Sequence, residues 1–193
     1  MSTSPPPGRL IVLSGPSGVG KDTVILELLR LVPNLCRPAA FTTRTRRPGE
    51  EDGRDYSFVD PQTFAAMKAG QQFLETAVVH GHDYGTSSAR VAALLGRGED
   101  VLLKIDVQGA AKIKAAGVDA LFIFLAPPSR EALVERLRRR ETESPEELAI
   151  RTRDQERELA ASSWYDHLVV NDDVGRAAQE IARLLAEMPR DRS

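Results

Sequence analysis

A glycine-rich segment near the start of the chain constrains the fold more than any other feature. Gly15–Lys21 reads Gly-Pro-Ser-Gly-Val-Gly-Lys, follows the apolar run Leu10–Leu13 and precedes the apolar helical pattern of Thr23–Leu29. The order predicts a strand, a glycine loop and a helix. Such a loop points backbone N–H groups at a phosphate, the helix N-terminus adds the positive end of its dipole, and Lys21 reaches the terminal phosphates. We therefore expect binding of a nucleoside triphosphate rather than a glycine-rich turn that happens to end in lysine.

Asp22 occupies the position where such loops usually carry Ser or Thr, whose hydroxyl binds Mg²⁺. A carboxylate can hold Mg²⁺ directly or through water, but it also brings a negative charge close to the phosphates. Thr23 does not replace it, because one residue along a helix turns a side chain by about 100°. We expect Mg²⁺ as cofactor, with ATP as co-substrate and Asp22 as the candidate metal ligand. The candidate ATP-binding residues of this segment are Gly15, Pro16, Ser17, Gly18, Val19, Gly20, Lys21, Asp22 and Thr23.

Apolar runs alternate with helical patterns both before and after a central segment. This alternation predicts an α/β fold with a parallel core sheet flanked by helices. The predicted strands are Leu10–Leu13, Val101–Asp106, Ala120–Leu125 and His167–Val170, and Leu35–Phe41 is predicted to be a strand or an extended segment. The predicted helices are Thr23–Leu29, Gly109–Ala116, Arg130–Arg140, a stretch through Arg151 to about Ser162, and Val174–Met188.

The central segment, from about Ala39 to Arg97, interrupts the alternation, so we interpret it as a substrate-binding subdomain inserted into the core. Its predicted elements are a strand at Ser57–Val59, a helix at Pro61–Ala69, a strand at Phe73–His80, a turn at Gly81–Thr86 and a helix from about Ser87 to Leu95.

The polar stretch Thr42–Tyr56 is rich in arginine and is predicted to be a loop. Arginine can grip a phosphate with two parallel hydrogen bonds, so Arg44 and Arg47 with nearby hydroxyls form a candidate anion cradle. The alternative is a solvated charge run whose acidic residues pair with the arginines. The glycine loop upstream favours the cradle, because a second phosphate-bearing substrate would need one.

Two further features bear charge at expected active-site positions. Asp106 ends a predicted strand, where it either faces the active cleft or only caps the following helix. Two arginine-bearing helices joined by a polar turn resemble a lid that closes cations over transferring phosphates. For Arg138, Arg139 and Arg153 an ordinary salt-bridged surface is the favoured interpretation.

Composition limits the possible partners. The 26 Lys and Arg residues nearly balance 28 Asp and Glu residues, so the net charge of −2 gives no reason to expect nucleic acid or a membrane surface as a partner. One cysteine and three scattered histidines fit a reducing cytoplasm without a structural metal. Residues 1–8 lack the features of a secretory signal and are interpreted as a disordered tail, and no apolar run is long enough to span a membrane.

Several segments carry motifs that, taken together, point to one family: Ser14–Lys21, Thr42–Glu50, Asp52–Tyr56, Phe73–Glu75, Tyr84–Thr86, Ile105–Gly109, Ala126–Ser129 and Val170–Asp173. From about Arg9 to Met188 the chain resembles the guanylate kinase family. The resemblance implies a P-loop nucleoside monophosphate kinase fold and transfer of a phosphoryl group from Mg-ATP to GMP. It also implies a domain over 9–190, with a core of 9–38, 98–136 and 152–190, a monophosphate-binding subdomain of about 39–97 and a lid of about 137–151.

The resemblance implies specific roles for residues at matching positions. Those implied to bind GMP are Arg44, Arg47, Tyr56 and Tyr84 at the phosphate, and Glu75, Thr86 and Asp106 on the base side. Arg136, Arg140 and Arg151 match arginines that steady the phosphates, Asn171 matches a position near adenine, and the implied catalytic set is Lys21, Arg44, Arg140 and Arg151. ATP and GMP are the expected partners, while monomer and homo-oligomer remain equally open.

Three residues depart from the family pattern: Asp22, Ala40 in place of a base-contacting Ser, and Glu141 in place of a Gly. Two alternatives follow. The Gly-Lys-Asp ending of the loop resembles ribose 1,5-bisphosphate phosphokinases, which need not read a base. The second alternative is a guanylate-kinase-like module that binds phosphopeptides without catalysis, although such modules usually lack an intact phosphate loop.

Overall fold

The predicted α/β class is confirmed. The computed structural model describes residues 6–79, 81–129, 131–133 and 158–189. Their elements are β1 (Leu10–Ser14), α1 (Lys21–Leu31), β2 (Leu35–Cys36), β3 (Ala40–Thr42), β4 (Tyr56–Phe58), α2 (Pro61–Ala69), β5 (Phe73–Val79), β6 (His82–Ser87), α3 (Ser88–Gly96), β7 (Asp100–Lys104), α4 (Val107–Ala115), β8 (Leu121–Ala126), a 3₁₀ turn (Ala161–Trp164), β9 (His167–Val170) and α5 (Val174–Glu187). No helix among these residues is long and apolar enough to cross a membrane.

The chain divides into two compact units, and the first comprises Met1–Ile11 and Leu35–Ala120. Within it β2 pairs in parallel with β7. The start of β1 is tied to β7 by the Arg9 side chain, whose Nη2 lies 2.6 Å from Asp100 Oδ2. Asp100 is only 1% exposed, so this ion pair neutralises a buried carboxylate at the base of the strand.

The first unit also holds a four-stranded sheet in the order β4-β3-β6-β5. Strand β6 pairs antiparallel with both β5 and β3. The predicted turn at Gly81–Thr86 is therefore wrong: His82–Ser87 is a central strand. Its Gly and Asp are weak strand formers, but pairing on both edges outweighs local propensity.

Residues Leu35–Phe41, predicted as one extended segment, instead contribute two short strands to two different sheets. Pro38 lies between them and has no backbone N–H to donate to a ladder. By contrast, α2 begins and ends where the sequence predicts, with Pro61 in its first turn and the Asp60 side chain accepting a hydrogen bond from Thr63 N.

The second unit comprises Val12–Asn34 and Leu121–Ser193. Strand β8 is buried along its whole length and pairs in parallel with β9. Helix α5 packs on α1, and its buried residues are Ala177, Ala178, Ile181 and Leu185. The predicted lid and most of the predicted helix Arg130–Arg140 lie outside the described residues, and the division into core, subdomain and lid remains a prediction.

Candidate nucleotide-binding sites

The glycine loop follows β1 and leads into α1 within the second unit. Gly15, Gly18 and Gly20 all have φ between 83° and 149°, a region that L residues rarely adopt. At Gly15 a Cβ would also lie 2.3 Å from the carbonyl oxygen of Leu125. Backbone conformation and the close approach of β8 thus account for the glycines.

Lys21 and Asn171 hold the shape of this loop. Lys21 Nζ donates hydrogen bonds to the carbonyl oxygens of Gly15 and Pro16. Asn171, 2% exposed, donates from Nδ2 to Val19 O at 2.7 Å, while its backbone N donates to Ala126 O at 2.8 Å. The backbone link to β8 places this amide against the loop, a contact that sequence reasoning did not foresee.

One N–H group of the loop donates to an anionic group within the protein. Ser17 N donates to a carboxylate oxygen of Glu158 at 3.2 Å, as it could to a phosphate oxygen. Asp22 and Thr23 are exposed in the first turn of α1. Across the described ranges no three His, Cys, Asp or Glu residues gather to hold a metal. One exposed carboxylate beside a phosphate loop does suit Mg²⁺, which usually takes one or two carboxylates, water and substrate phosphates rather than an all-protein cage.

The arginine loop of the first unit centres on Arg44, which is 9% exposed. Its Nη2 lies 2.7 Å from Glu50 Oε1, and Glu50 Oε2 accepts from Arg47 N at 2.8 Å. Burial opposes ionisation of Glu50, yet the hydrogen bonds from Arg44 and Arg47 lower its pKa. The acid pairing that we considered as an alternative thus exists for Arg44, whereas the Arg47 side chain is exposed.

Aromatic side chains surround Arg44. Its guanidinium carbon lies 5.5 Å from the ring centroid of Tyr56, and the Tyr56 and Tyr84 rings meet edge to face at 5.9 Å. Lys104 Nζ lies 5.2 Å from the Tyr56 centroid. The predicted cradle residues Arg44, Tyr56 and Tyr84 are therefore neighbours. Sequence reasoning missed Lys104, although its position two residues before Asp106 at the end of a predicted strand could have singled it out.

The predicted base-side residues also come together in the first unit. Glu75 on β5 pairs in register with Thr86 on β6, just after an irregularity in the ladder between Phe73 and Glu75. Such irregularities redirect side chains. Thr86 Oγ1 donates to Glu75 Oε1 at 2.7 Å, and both residues are buried. Asp106 caps α4, because its Oδ1 accepts from Gly109 N at 2.8 Å.

The Glu75 carboxyl is the most perturbed acid of the described site. It is 6% exposed, and Oε2 has no hydrogen-bond partner among the described residues. Burial raises its pKa to about 7; the Thr86 hydrogen bond and Lys112 oppose the rise, and Asp106 adds to it. A buried acceptor without a donor is costly, and such groups concentrate at functional sites.

Arg136, Arg140 and Arg151 lie outside the described residues.

A glycine loop between β1 and α1 and a separate four-stranded sheet are features of the P-loop nucleoside monophosphate kinase fold. A family model for guanylate kinase matches residues 7–188. The chain belongs to the guanylate kinase family, as its motifs predict.

Individual relatives agree with this assignment. Over 178 residues the chain is 44% identical to a guanylate kinase of Syntrophotalea carbinolica, covering 92% of this chain and 85% of that protein. Over 182 residues it is 46% identical to one from Gloeobacter violaceus, covering 94% and 89%. The crystal structure of guanylate kinase from Anaplasma phagocytophilum matches with a TM-score of 0.78 at 32% identity, covering 94% of this chain and 86% of that one.

Proposed function

We propose that this protein is an ATP:GMP phosphotransferase that transfers the γ-phosphoryl group of Mg-ATP to GMP, giving ADP and GDP for purine nucleotide metabolism. The observation that carries the proposal is the buried Glu75 carboxyl held by Thr86, whose second oxygen has no donor among the residues that the structure describes. Guanine presents N–H donors at N1 and N2, which a carboxylate accepts, whereas the corresponding edge of adenine offers no such pair.

In this proposal the second unit supplies the donor site. N–H groups of Gly15–Thr23 and the Lys21 ammonium bind the ATP phosphates, which requires Lys21 to leave the carbonyl groups of Gly15 and Pro16. Asn171 keeps the loop in shape through Val19. Asp22 is the candidate protein ligand of Mg²⁺, and the ion when bound neutralises phosphate charge.

The first unit supplies the acceptor site. Arg44 and Arg47, with the hydroxyls of Tyr56 and Tyr84, hold the GMP phosphate, while Glu75, Thr86 and Asp106 face the base. An incoming phosphate competes with Glu50 for the Arg44 guanidinium. Catalysis then rests on alignment and charge neutralisation, because phosphoryl transfer of this kind needs no covalent intermediate. The roles of Arg136, Arg140 and Arg151 as phosphate-steadying cations follow from the family resemblance.

A coupled assay of ADP formation tests the proposal, with Mg-ATP as donor and GMP, dGMP, AMP, UMP or ribose 1,5-bisphosphate as acceptor. We expect a rate with GMP well above the other four. A rate confined to ribose 1,5-bisphosphate would assign the sister activity that the Gly-Lys-Asp ending suggests. No rate with any acceptor, together with no binding of ATP, would favour a docking module. A cytoplasmic location remains a prediction from the sequence.

A further inference from the structure

Gly109 lies directly against the Glu75 carboxyl. A Cβ built on Gly109 would lie 2.6 Å from Glu75 Oε2, 3.1 Å from Glu75 Cδ and 3.2 Å from Asp106 Oδ1. The first of these distances is shorter than real Cβ contacts allow. Any side chain at 109 therefore requires the Glu75 carboxyl to move.

Backbone geometry gives no reason for glycine at this position. Gly109 is buried inside α4, and its φ is not positive. Within a helix, glycine is less favourable than alanine. The glycine thus weakens its own helix, and the space taken by the carboxyl is the structural feature that accounts for it.

The other oxygen of the Glu75 carboxyl is already held. Thr86 Oγ1 holds Oε1, and β5 and β6 pair on either side of that contact. Among the described residues, Asp106 repels the ionised form of Glu75 and Lys112 attracts it. Oε2, the oxygen against Gly109, is also the one without a hydrogen-bond partner among the described residues.

We propose that Gly109 is a positioning residue for guanine recognition, because the absence of a side chain there provides the space in which the Glu75 carboxyl is held for the base. The inference rests on the proposed function, in which Glu75 accepts the guanine N–H groups. A methyl group at 109 displaces this acceptor while leaving the ATP loop unchanged.

The test compares Gly109→Ala with Gly96→Ala. Gly96 ends helix α3 in the same unit, and a Cβ there meets no atom within 4 Å, so it controls for the glycine-to-alanine change itself. In the ADP-release assay we expect Gly109→Ala to raise KM for GMP about tenfold or more, the effect of losing a hydrogen bond to a charged group. KM for ATP is expected to stay within twofold, and Gly96→Ala to leave both values unchanged. Thermal unfolding of both variants checks that they fold.

A double-mutant cycle separates positioning from a general structural effect. In a Glu75→Ala background the displaced group is gone, so adding Gly109→Ala should change kcat/KM for GMP by less than twofold. The same loss in both backgrounds, or equal increases in KM for GMP and ATP, would overturn the inference.

The experiments distinguish failure of the proposed function from failure of the inference about Gly109. If the wild-type protein does not phosphorylate GMP, the proposed function fails, and the inference about Gly109 fails with it. If the wild-type protein does so and Gly109→Ala keeps its KM for GMP, only the role of Gly109 is refuted.

Discussion

Replacing Glu75 by glutamine should stabilise the protein at alkaline pH while impairing its use of GMP. Burial raises the pKa of Glu75 from 4.5 to about 7 in the folded state. The folded protein therefore binds this proton more tightly than the unfolded chain does. As a result, its free energy of unfolding falls as the pH rises from about 4.5 to about 7.

The size of the effect follows from the same values. The interval between 4.5 and about 7, at about 1.4 kcal/mol per pH unit, corresponds to about 3 kcal/mol. Glutamine does not titrate and has nearly the shape of the protonated acid, so the two proteins should be similar in stability near pH 4.5. At pH 8 the variant should be more stable by about 3 kcal/mol, or about 6 to 12 °C in Tm for a chain of this size.

Urea unfolding of the wild type and Glu75→Gln at pH 4.5, 6 and 8 measures this difference. The control is Glu180→Gln, which removes an exposed carboxylate from α5 and should stay within about 0.5 kcal/mol of the wild type. A difference between Glu75→Gln and the wild type that does not grow with pH would refute the reasoning. It would mean that the folded protein stabilises the ionised carboxyl as well as water does.

Three further results are expected. The Kd for GMP should rise about tenfold per pH unit below about pH 7, because ionised Glu75 is the acceptor. Calorimetry on Glu75→Gln should show only the pH dependence that comes from the phosphate of GMP itself. Identical pH dependence of the Kd in the two proteins would contradict this. Lys21→Ala should lower kcat about a hundredfold or more while the protein stays folded, and unchanged turnover would contradict the role proposed for Lys21. Lys68→Ala on the exposed face of α2 should remain active. Asn171→Ala should lower the free energy of unfolding in urea by about 1 to 3 kcal/mol and raise KM for ATP, since Val19 O loses its hydrogen bond. An unchanged KM for ATP would argue against a role of this contact in shaping the loop.

Local chemistry made several elements predictable. The structure confirms the strand before the glycine loop, the helix after the loop and the helix at Pro61–Ala69 that follows Asp60. These elements depend on neighbours within a few residues. The turn predicted at Gly81–Thr86 failed because β6 gains partners on both edges: β5, which directly precedes it, and β3, which lies far from it in sequence. Asp106 shows a middle case: the structure establishes its capping hydrogen bond, while its contact with the base stays a prediction.

The sequence by itself determined the α/β class, the phosphate loop and the family, because these depend on residue type and spacing along the chain. Only the tertiary structure decided that Arg44 pairs with Glu50, that Lys104 lies beside Tyr56 and that Gly109 backs onto Glu75. Tertiary structure also decided the raised pKa of Glu75. The approach of residues from different strands and helices creates these properties, and no spacing along the chain shows which polar groups will meet or be buried together.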